Sequence, residues 1–288
     1  HLLGTDQTIG NVLMGTDSRS KQAVIDQTYS TNSYNDASKF LTITQSIDQT
    51  FTGYVRSSDN NSGRLNIRKD GAARLAFSGP TYYDGTSHVK QGVLEFKDSS
   101  ASARYDIDLN AVVEFSVASG ARDMPTTSFN GQGTLRKSGA GEIVWGTGAA
   151  TFNLAAKSWI DILGGTFVAG SYGNENWDSN LSSLNIVSCA TFRSVEAEVR
   201  VDGLTGSGTW AGGWRDPYFR STPIIGVADN VATQGPGGAT LSEFDFSGSI
   251  IDLNPAAGDR VRNLIKVGSG TQIFTGTNTY SGTTQVQG

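Results

Sequence analysis

Two loops of the sequence carry residue types that could recognise a ligand. Flat aromatic rings beside hydrogen-bonding groups suit the apolar faces and hydroxyls of sugar rings. We therefore predict ligand contacts in the stretches 211–220 and 170–178; these are Trp214, Arg215, Asp216, Tyr218 and Arg220 in the first, and Tyr172 and Trp177 in the second. The alternative interpretation is that both loops fold against the protein wall, with their aromatic rings covering the edges of the core.

Carboxylate pairs are the second candidate for chemistry. Asp106 and Asp108 are two residues apart and could share one face of a strand, as could Glu243 and Asp245. Such pairs serve glycoside hydrolysis or calcium binding. Alternating polar residues on an outer face give the same pattern, and no nucleophile elbow, zinc-protease motif or P-loop occurs. We therefore expect no enzyme activity, no catalytic or metal site and no cofactor.

The lone cysteine and the composition exclude several further classes. Cys189 allows no disulfide within the chain, and a reactive thiol would need a base from His1 or His88. A net charge of −5 with 17% charged residues argues against nucleic-acid binding. No apolar run of about 18 residues occurs, so no transmembrane segment is expected. Because the chain opens without Met and stops within a repeat, we expect a longer parent protein.

An internal repeat organises the chain. Lys69, Gly71, Phe77, Gly79, Tyr83, Gly85 and Val89 align without a gap on Lys266, Gly268, Phe274, Gly276, Tyr280, Gly282 and Val286. A weaker third copy runs from Lys137 through Gly139 to Trp145, and Gly120 matches Cys189 in a second recurring motif. We therefore expect Phe77, Trp145 and Phe274 inside, Tyr82 exposed, Cys189 as a small turn residue, and Asn263 and Asn278 at left-handed turn positions.

Period-two strands with glycine turns between them predict a β-solenoid. The motif returns after a long interval, so that equivalent strands can stack in register on successive coils of about 20–25 residues. We predict a single solenoid over 1–288. Residues 1–45 form its N-terminal cap or first irregular coils, and repeat-like units lie near 51–96, 115–168, 184–210 and 246–288.

The repeat resembles the autotransporter-associated β-strand repeat, which has a Lys-x-Gly-x-Gly start, a Leu-x-Leu-x-Gly middle and an Asn-x-Tyr-x-Gly-x-Thr end. Residues 263–288 match it closely, residues 63–96 match it with Pro80-Thr81-Tyr82 in place of the asparagine stretch, and residues 131–168 match only its first half. The resemblance implies an all-β, right-handed parallel β-helix in a large secreted or surface-exposed bacterial protein. It implies no catalytic residues.

Three functions remain open on these grounds. The first is a structural or adhesive segment that displays loops to a surface, matrix or neighbouring copy. The second is a carbohydrate-binding module or a polysaccharide-active β-helix, with a glycan or surface ligand as its partner. The third is an extracellular filament subunit that associates end to end through open strand edges.

Overall fold

The computed structural model describes residues 6–12, 24–27, 40–57, 65–98, 104–145, 148–170, 174–213, 221–261 and 263–288. These residues form strands and two short 3₁₀ helices, with no α-helix among them. None of their helices is long and apolar enough to cross a membrane. The chain divides into two compact units, His1–Ser116 and Val117–Gly288. The predicted single solenoid over 1–288 stays a prediction.

The described residues of the first unit form twelve strands, and every described pairing between them is parallel. They are β1 (Gln7–Ile9), β2 (Val24–Gln27), β3 (Leu41–Thr44), β4 (Gln49–Phe51), β5 (Tyr54–Ser57), β6 (Ile67–Asp70), β7 (Arg74–Phe77), β8 (Thr81–Tyr82), β9 (Thr86–Val89), β10 (Val93–Lys97), β11 (Arg104–Ile107) and β12 (Val112–Ser116). Three sheets result, with the orders β1-β3-β6-β9-β11, β4-β7-β10-β12 and β2-β5-β8.

The second unit is built in the same way from β13 to β31. Its strands are β13 (Ala121–Met124), β14 (Thr127–Gly131), β15 (Thr134–Ser138), β16 (Glu142–Trp145), β17 (Ala150–Leu154), β18 (Trp159–Ile162), β19 (Gly165–Val168), β20 (Glu175–Asn176), β21 (Ser183–Ile186), β22 (Ala190–Ser194), β23 (Arg200–Val201), β24 (Leu204–Gly206), β25 (Thr209–Gly212), β26 (Ile224–Ile225), β27 (Phe244–Phe246), β28 (Ser249–Asp252), β29 (Asn263–Val267), β30 (Gln272–Phe274) and β31 (Thr283–Gln287). The 3₁₀ helices are Pro236–Gly238 and Pro255–Ala257.

The described strands of this second unit form four sheets around its core, each with parallel pairing. Their orders are β14-β17-β20, β15-β18-β21-β24-β27-β30, β13-β16-β19-β22-β25-β28 and β23-β26-β29-β31. Partner residues such as Ile160 and Leu184 lie one coil apart in the sequence. Parallel partners at this separation require the chain to circle back between them, which confirms the predicted parallel β-solenoid.

In-register aromatic side chains form the core of each unit. In the first unit Phe77, Phe96 and Phe115 face inward on successive coils, with ring centroids 5.8 and 5.4 Å apart. Phe77 and Trp145 are fully buried as predicted, whereas Phe274 is only partly buried. The difference arises because β30, which carries Phe274, pairs with β27 on one side alone among the described strands.

Of three turn positions predicted from the sequence, Cys189 is confirmed, and Asn263 and Asn278 are not. Gly120 and Cys189 both adopt left-handed backbone, with φ of 69° and 66°, so Cys189 is the predicted turn residue. The predicted left-handed conformation of Asn263 and Asn278 is wrong. Asn263 opens the extended strand β29, and Asn278 instead uses its side-chain oxygen to accept a hydrogen bond from the Ile250 N–H at 2.8 Å.

The lysine that opens each repeat copy is a structural element of the turn that follows it. Lys137 is 1% exposed, and its Nζ donates to the carbonyls of Ser138, Gly139 and Gly164 at 2.8, 2.8 and 2.9 Å. Lys69 is buried in the same way and donates to three carbonyls, including that of Gln91 on the next coil. At Lys69 and Lys137 the Lys-x-Gly signature therefore encodes an ammonium that ties one turn to the next coil.

Lys137→Met is expected to change the pH dependence of stability. Burial lowers the pKa of Lys137 to about 8, whereas the unfolded chain keeps this proton to about 10.4. Between these pH values the unfolded state binds more protons, so the contribution of Lys137 to the free energy of unfolding rises with pH. Urea titrations at pH 7.5 and 9.5 measure the free energy of unfolding of wild type and of Lys137→Met. We expect the value for wild type to rise relative to that of Lys137→Met by about 2 kcal/mol between these pH values. If this difference in free energy of unfolding did not change with pH, the three carbonyls would be keeping the ammonium charged up to pH 9.5.

Candidate functional site

Four loops of the second unit leave from one edge of its six-stranded sheet. They follow β19, β22, β25 and β28, which are consecutive neighbours in that sheet, and they span 169–174, 195–199, 213–223 and 253–262. We call this edge the loop edge. Adjacent coils are about 4.8 Å apart. The two loops predicted to contact ligand therefore start roughly 10 Å from each other.

Glycines at the bases of these loops hold neighbouring loops in close contact. A Cβ on Gly170 would lie 2.9 Å from the Cβ of Ala197, in the next loop. Gly213 has a φ of 120°, and a Cβ there would lie 2.2 Å from the backbone N of Arg260. Larger residues would push the loop bases apart, so glycine sets the spacing along the loop edge.

A buried hydrogen-bond network fixes both ends of the segment 214–220. The Trp210 Nε1–H donates to Ser194 Oγ at 2.9 Å, and the Ser221 Oγ–H donates to the Ser194 carbonyl at 2.8 Å. All three side chains are buried. The Gly213 N–H also donates to the Ser194 carbonyl, at 3.3 Å, so Gly213 at one end and Ser221 at the other are both held by the packed wall of the solenoid.

Charged groups of both signs line the loop edge. Glu198 and Arg200 lie 3.8 Å apart, and Arg260 is exposed. Asp259 is only 6% exposed, and its Oδ1 has no hydrogen-bond partner among the described residues. The carboxylate of Asp252 accepts hydrogen bonds from the Val261 and Ser281 N–H groups at 2.8 and 3.1 Å, which anchors the fourth loop. The carboxylates can accept hydrogen bonds from a polar ligand, and the guanidinium groups can donate hydrogen bonds to it.

The predicted ligand-contact residues fall into two groups in the structure. Six of them lie outside the described residues and remain predictions: Tyr172, Trp214, Arg215, Asp216, Tyr218 and Arg220. Trp177 is described, and there the prediction is wrong. It is 2% exposed, its ring stacks on Phe152 at 3.9 Å, and its Nε1–H donates to the Ala169 carbonyl. The physical reason is that side chains alternate between inward and outward along a strand. Asn176 pairs with the outward Thr151, so the next residue, Trp177, points inward in the same row as Phe152.

The carboxylate pairs lie on outer faces, and Asp106, Asp108 and Asp245 have partners of their own. Asp106 and Asp108 flank the buried Ile107, as the alternation predicts. Asp106 is bound by Arg104 at 2.8 Å and Asp108 by His88 at 2.9 Å. Asp245 accepts a hydrogen bond from the Thr275 hydroxyl at 2.8 Å. In the described part of the chain, no group of three or more His, Cys, Asp or Glu side chains could hold a metal ion.

The shared edge of the two predicted loops was not predicted from the sequence. The available signal was the alignment of Phe167, Phe192 and Trp210, which occupy one inward row of β19, β22 and β25. Aligned strands place the loops that follow them at a common edge. The same alignment would have shown the intervening loop, 195–199, which carries Glu196 and Glu198.

Comparison with known families confirms the predicted repeat. Residues 67–96 and 264–288 match the family model described as passenger-associated-transport-repeat. Each matched segment spans strands of successive coils, and the weaker copy at Lys137 lies outside both. Searches of curated proteins and of solved structures gave no match.

Proposed function

We propose, from the two passenger-associated transport repeats, that this chain is a structural segment of a larger secreted or surface-exposed bacterial protein. The observation that carries the proposal is that both matched segments form stacked parallel coils. In this role the solenoid wall supplies length and rigidity, and the loop edge contacts an external surface, a matrix or a neighbouring copy.

The construction of the loop edge supports this role. Binding residues are commonly found on loops that a rigid scaffold positions. Here the scaffold is the wall of β19, β22, β25 and β28, and the network of Ser194, Trp210 and Ser221 fixes the ends of segment 214–220.

A carbohydrate ligand is the second candidate within this proposal. The segment 214–220 concentrates Trp, Tyr, Phe, Arg and Asp, the neighbouring loops add Glu198 and Arg260, and Arg200 follows at the start of β23. Aromatic faces with hydrogen-bonding groups of both kinds favour sugar rings.

The proposal is tested by measuring how much of the protein is removed from solution by binding to insoluble surfaces. Purified chain is incubated with cellulose, chitin, an insoluble β-1,3-glucan and collagen-coated beads, and both unbound protein and released reducing ends are measured. We expect depletion by at least one surface without sugar release, and at least tenfold weaker binding of Trp214→Ala. Tyr82→Ala is the matched control because Tyr82 is 71% exposed in the first unit, away from the loop edge in sequence.

The possible outcomes separate the functions. Depletion that Trp214→Ala leaves unchanged, or no depletion by any surface, would overturn contact through the loop edge. Release of reducing ends would instead identify a polysaccharide-cleaving enzyme. Sedimentation of the chain without any added surface would identify the filament subunit.

A further inference from the structure

The segment 226–243 crosses from one sheet of the second unit to the outer face of another. It begins after β26, in the sheet β23-β26-β29-β31, and ends before β27, in the sheet β15-β18-β21-β24-β27-β30. Between these strands it reaches β18, where the Trp159 Nε1–H donates to the Gln234 carbonyl at 2.9 Å. We call the segment 226–243 the strap. It covers part of the solenoid wall from the outside.

Beneath the strap lies an aromatic side chain that points away from the core. Trp159 alternates along β18 with the inward Ile160, so its ring lies on the outer face, and yet it is only 3% exposed. Ala232 and Phe244 form a buried cluster with Trp159, and Leu241 packs against this cluster. The Phe244 ring stacks on that of Trp159 at a centroid distance of 6.2 Å. Trp159 is therefore hidden by the strap and by the residue that follows it.

Few buried side chains hold the outer part of the strap closed. Within 231–243, Ala232 is buried and most other residues are exposed. The Gly235 N–H donates to the Ala239 carbonyl at 2.7 Å, which is a bond inside the strap rather than a bond to the wall. Segments with little buried apolar surface open at a lower free energy than the core does. The outer part of the strap can therefore leave the wall while it keeps its own hydrogen bonds.

The root of the strap is fixed more firmly. Asp202 is fully buried, and its carboxylate accepts hydrogen bonds from the N–H groups of Ala228, Asn230 and Val231 at 2.8, 2.8 and 3.0 Å. Hydrogen bonds to an ionised acceptor are among the strong ones in proteins. This anchor at one end and β27 at the other confine an opening movement to the residues between them.

The closed strap leaves a buried hydroxyl group without a partner. Ser183 pairs in register with Trp159, and the next coil beside it carries Gly203, where a Cβ would overlap the Phe244 ring. Ser183 thus lies between two residues that contact the covering side chains. It is 0% exposed, and its Oγ has no hydrogen-bond partner in the described part of the chain. Contact with water would recover the free energy that this unpaired hydroxyl costs, so it favours opening.

We propose that the strap is a locally opening cover that withholds Trp159 from solvent in its closed form. Opening frees the Trp159 ring and the Ser183 hydroxyl on the outer wall, and no coil has to leave the stack. The inference goes beyond the proposed surface contact and does not depend on it, since none of the residues that carry it belongs to the loop edge.

Hydrogen exchange of the tryptophan indole N–H groups tests this inference. The full chain is labelled with ¹⁵N in its tryptophan side chains, and single Trp-to-Phe variants assign the indole signals. Trp177 and Trp210 are internal controls, because both are buried and their Nε1–H groups donate to the Ala169 carbonyl and to Ser194 Oγ. We expect the Trp159 indole to exchange about a hundredfold faster than these two. Its rate should depend little on dilute urea, because local opening exposes little surface.

Two variants should change the exchange rate of the Trp159 indole in opposite directions. Leu241→Ala removes packing from the cluster and should raise the rate about fivefold. Ser183→Ala removes the unpaired hydroxyl from the closed form and should lower the rate by about the same factor. The matched control is Leu163→Ala, which shortens a leucine of the second unit that is 44% exposed and should leave the rate unchanged. Unchanged rates at Trp177 and Trp210 show that each variant keeps its stacked coils.

Equal exchange rates of all three indoles, with one urea dependence, would overturn the inference, because Trp159 would then be uncovered only when the coils unfold. The same conclusion would follow if Leu241→Ala left the Trp159 rate unchanged, or if Ser183→Ala exchanged no more slowly than wild type.

Discussion

Gly139→Ala is expected to destabilise the second unit by about 4 kcal/mol, which combines left-handed strain with overpacking. Gly139 has a φ of 78°, and a Cβ there would lie 2.2 Å from the Val117 carbonyl oxygen on the preceding coil. The Gly139 carbonyl also accepts a hydrogen bond from Lys137. An added methyl group must therefore separate two coils and disturb the lysine that ties them.

Gly120→Ala is the matched control for this substitution. Gly120 has a similar φ of 69°, but a Cβ there would meet nothing within 4 Å. It should cost only about 1 kcal/mol, the strain of left-handed backbone, and Cys189 already occupies the corresponding turn with a side chain. Urea midpoints of both variants measure the difference. Equal losses would show that close approach of the coils at Gly139 does not limit stability.

Trp145→Ala is expected to lower the free energy of unfolding by about 3–5 kcal/mol through the cavity that it leaves. Trp145 is fully buried and packs against Phe129, Phe152 and Phe167 at centroid distances of 5.0, 6.2 and 6.0 Å. These aromatic rings come from several coils, so the cavity weakens the stacking between them as well as the hydrophobic burial.

Tyr82→Ala removes an aromatic ring that is 71% exposed and should change stability by less than about 0.5 kcal/mol. Denaturation followed by circular dichroism compares the two variants. If Trp145→Ala cost as little as Tyr82→Ala, the third repeat copy would not place its aromatic residue in the core.

The repeat made the core predictable from the sequence. Because Lys69 and Lys266 align without a gap, inward and outward positions could be assigned at once, and Phe77, Tyr83 and Cys189 behave as the alignment requires. The inward lysines could not be predicted, since a charged side chain in an alternating strand is normally placed outside. Three converging carbonyls, which exist only once two coils are stacked, explain the burial of Lys69.

The candidate site was less predictable for a related reason. Trp177 follows a glycine-rich stretch, and no repeat in the sequence shows whether its side chain points inward or outward. Its inward direction depends on the pairing of β17 with β20. The segment 226–243, between β26 and β27, also has contacts that could not be predicted from the sequence. Its residues Ala232 and Leu241 pack on the outward Trp159, and Trp159 Nε1–H donates to the Gln234 carbonyl at 2.9 Å. Contacts between segments so distant in sequence leave no local pattern.

Cross-linking between designed cysteine pairs tests the stacked parallel register most directly. In a Cys189→Ser background, cysteines replace Thr166 and Thr191, Thr191 and Thr209, or Thr166 and Thr209, and a short bifunctional thiol reagent is applied before mass spectrometry. Register places the first two pairs one coil apart, about 4.8 Å, and the third two coils apart, about 10 Å. The solenoid predicts efficient cross-linking of the first two pairs and little of the third. Efficient cross-linking of the third pair with none in the other two would contradict it.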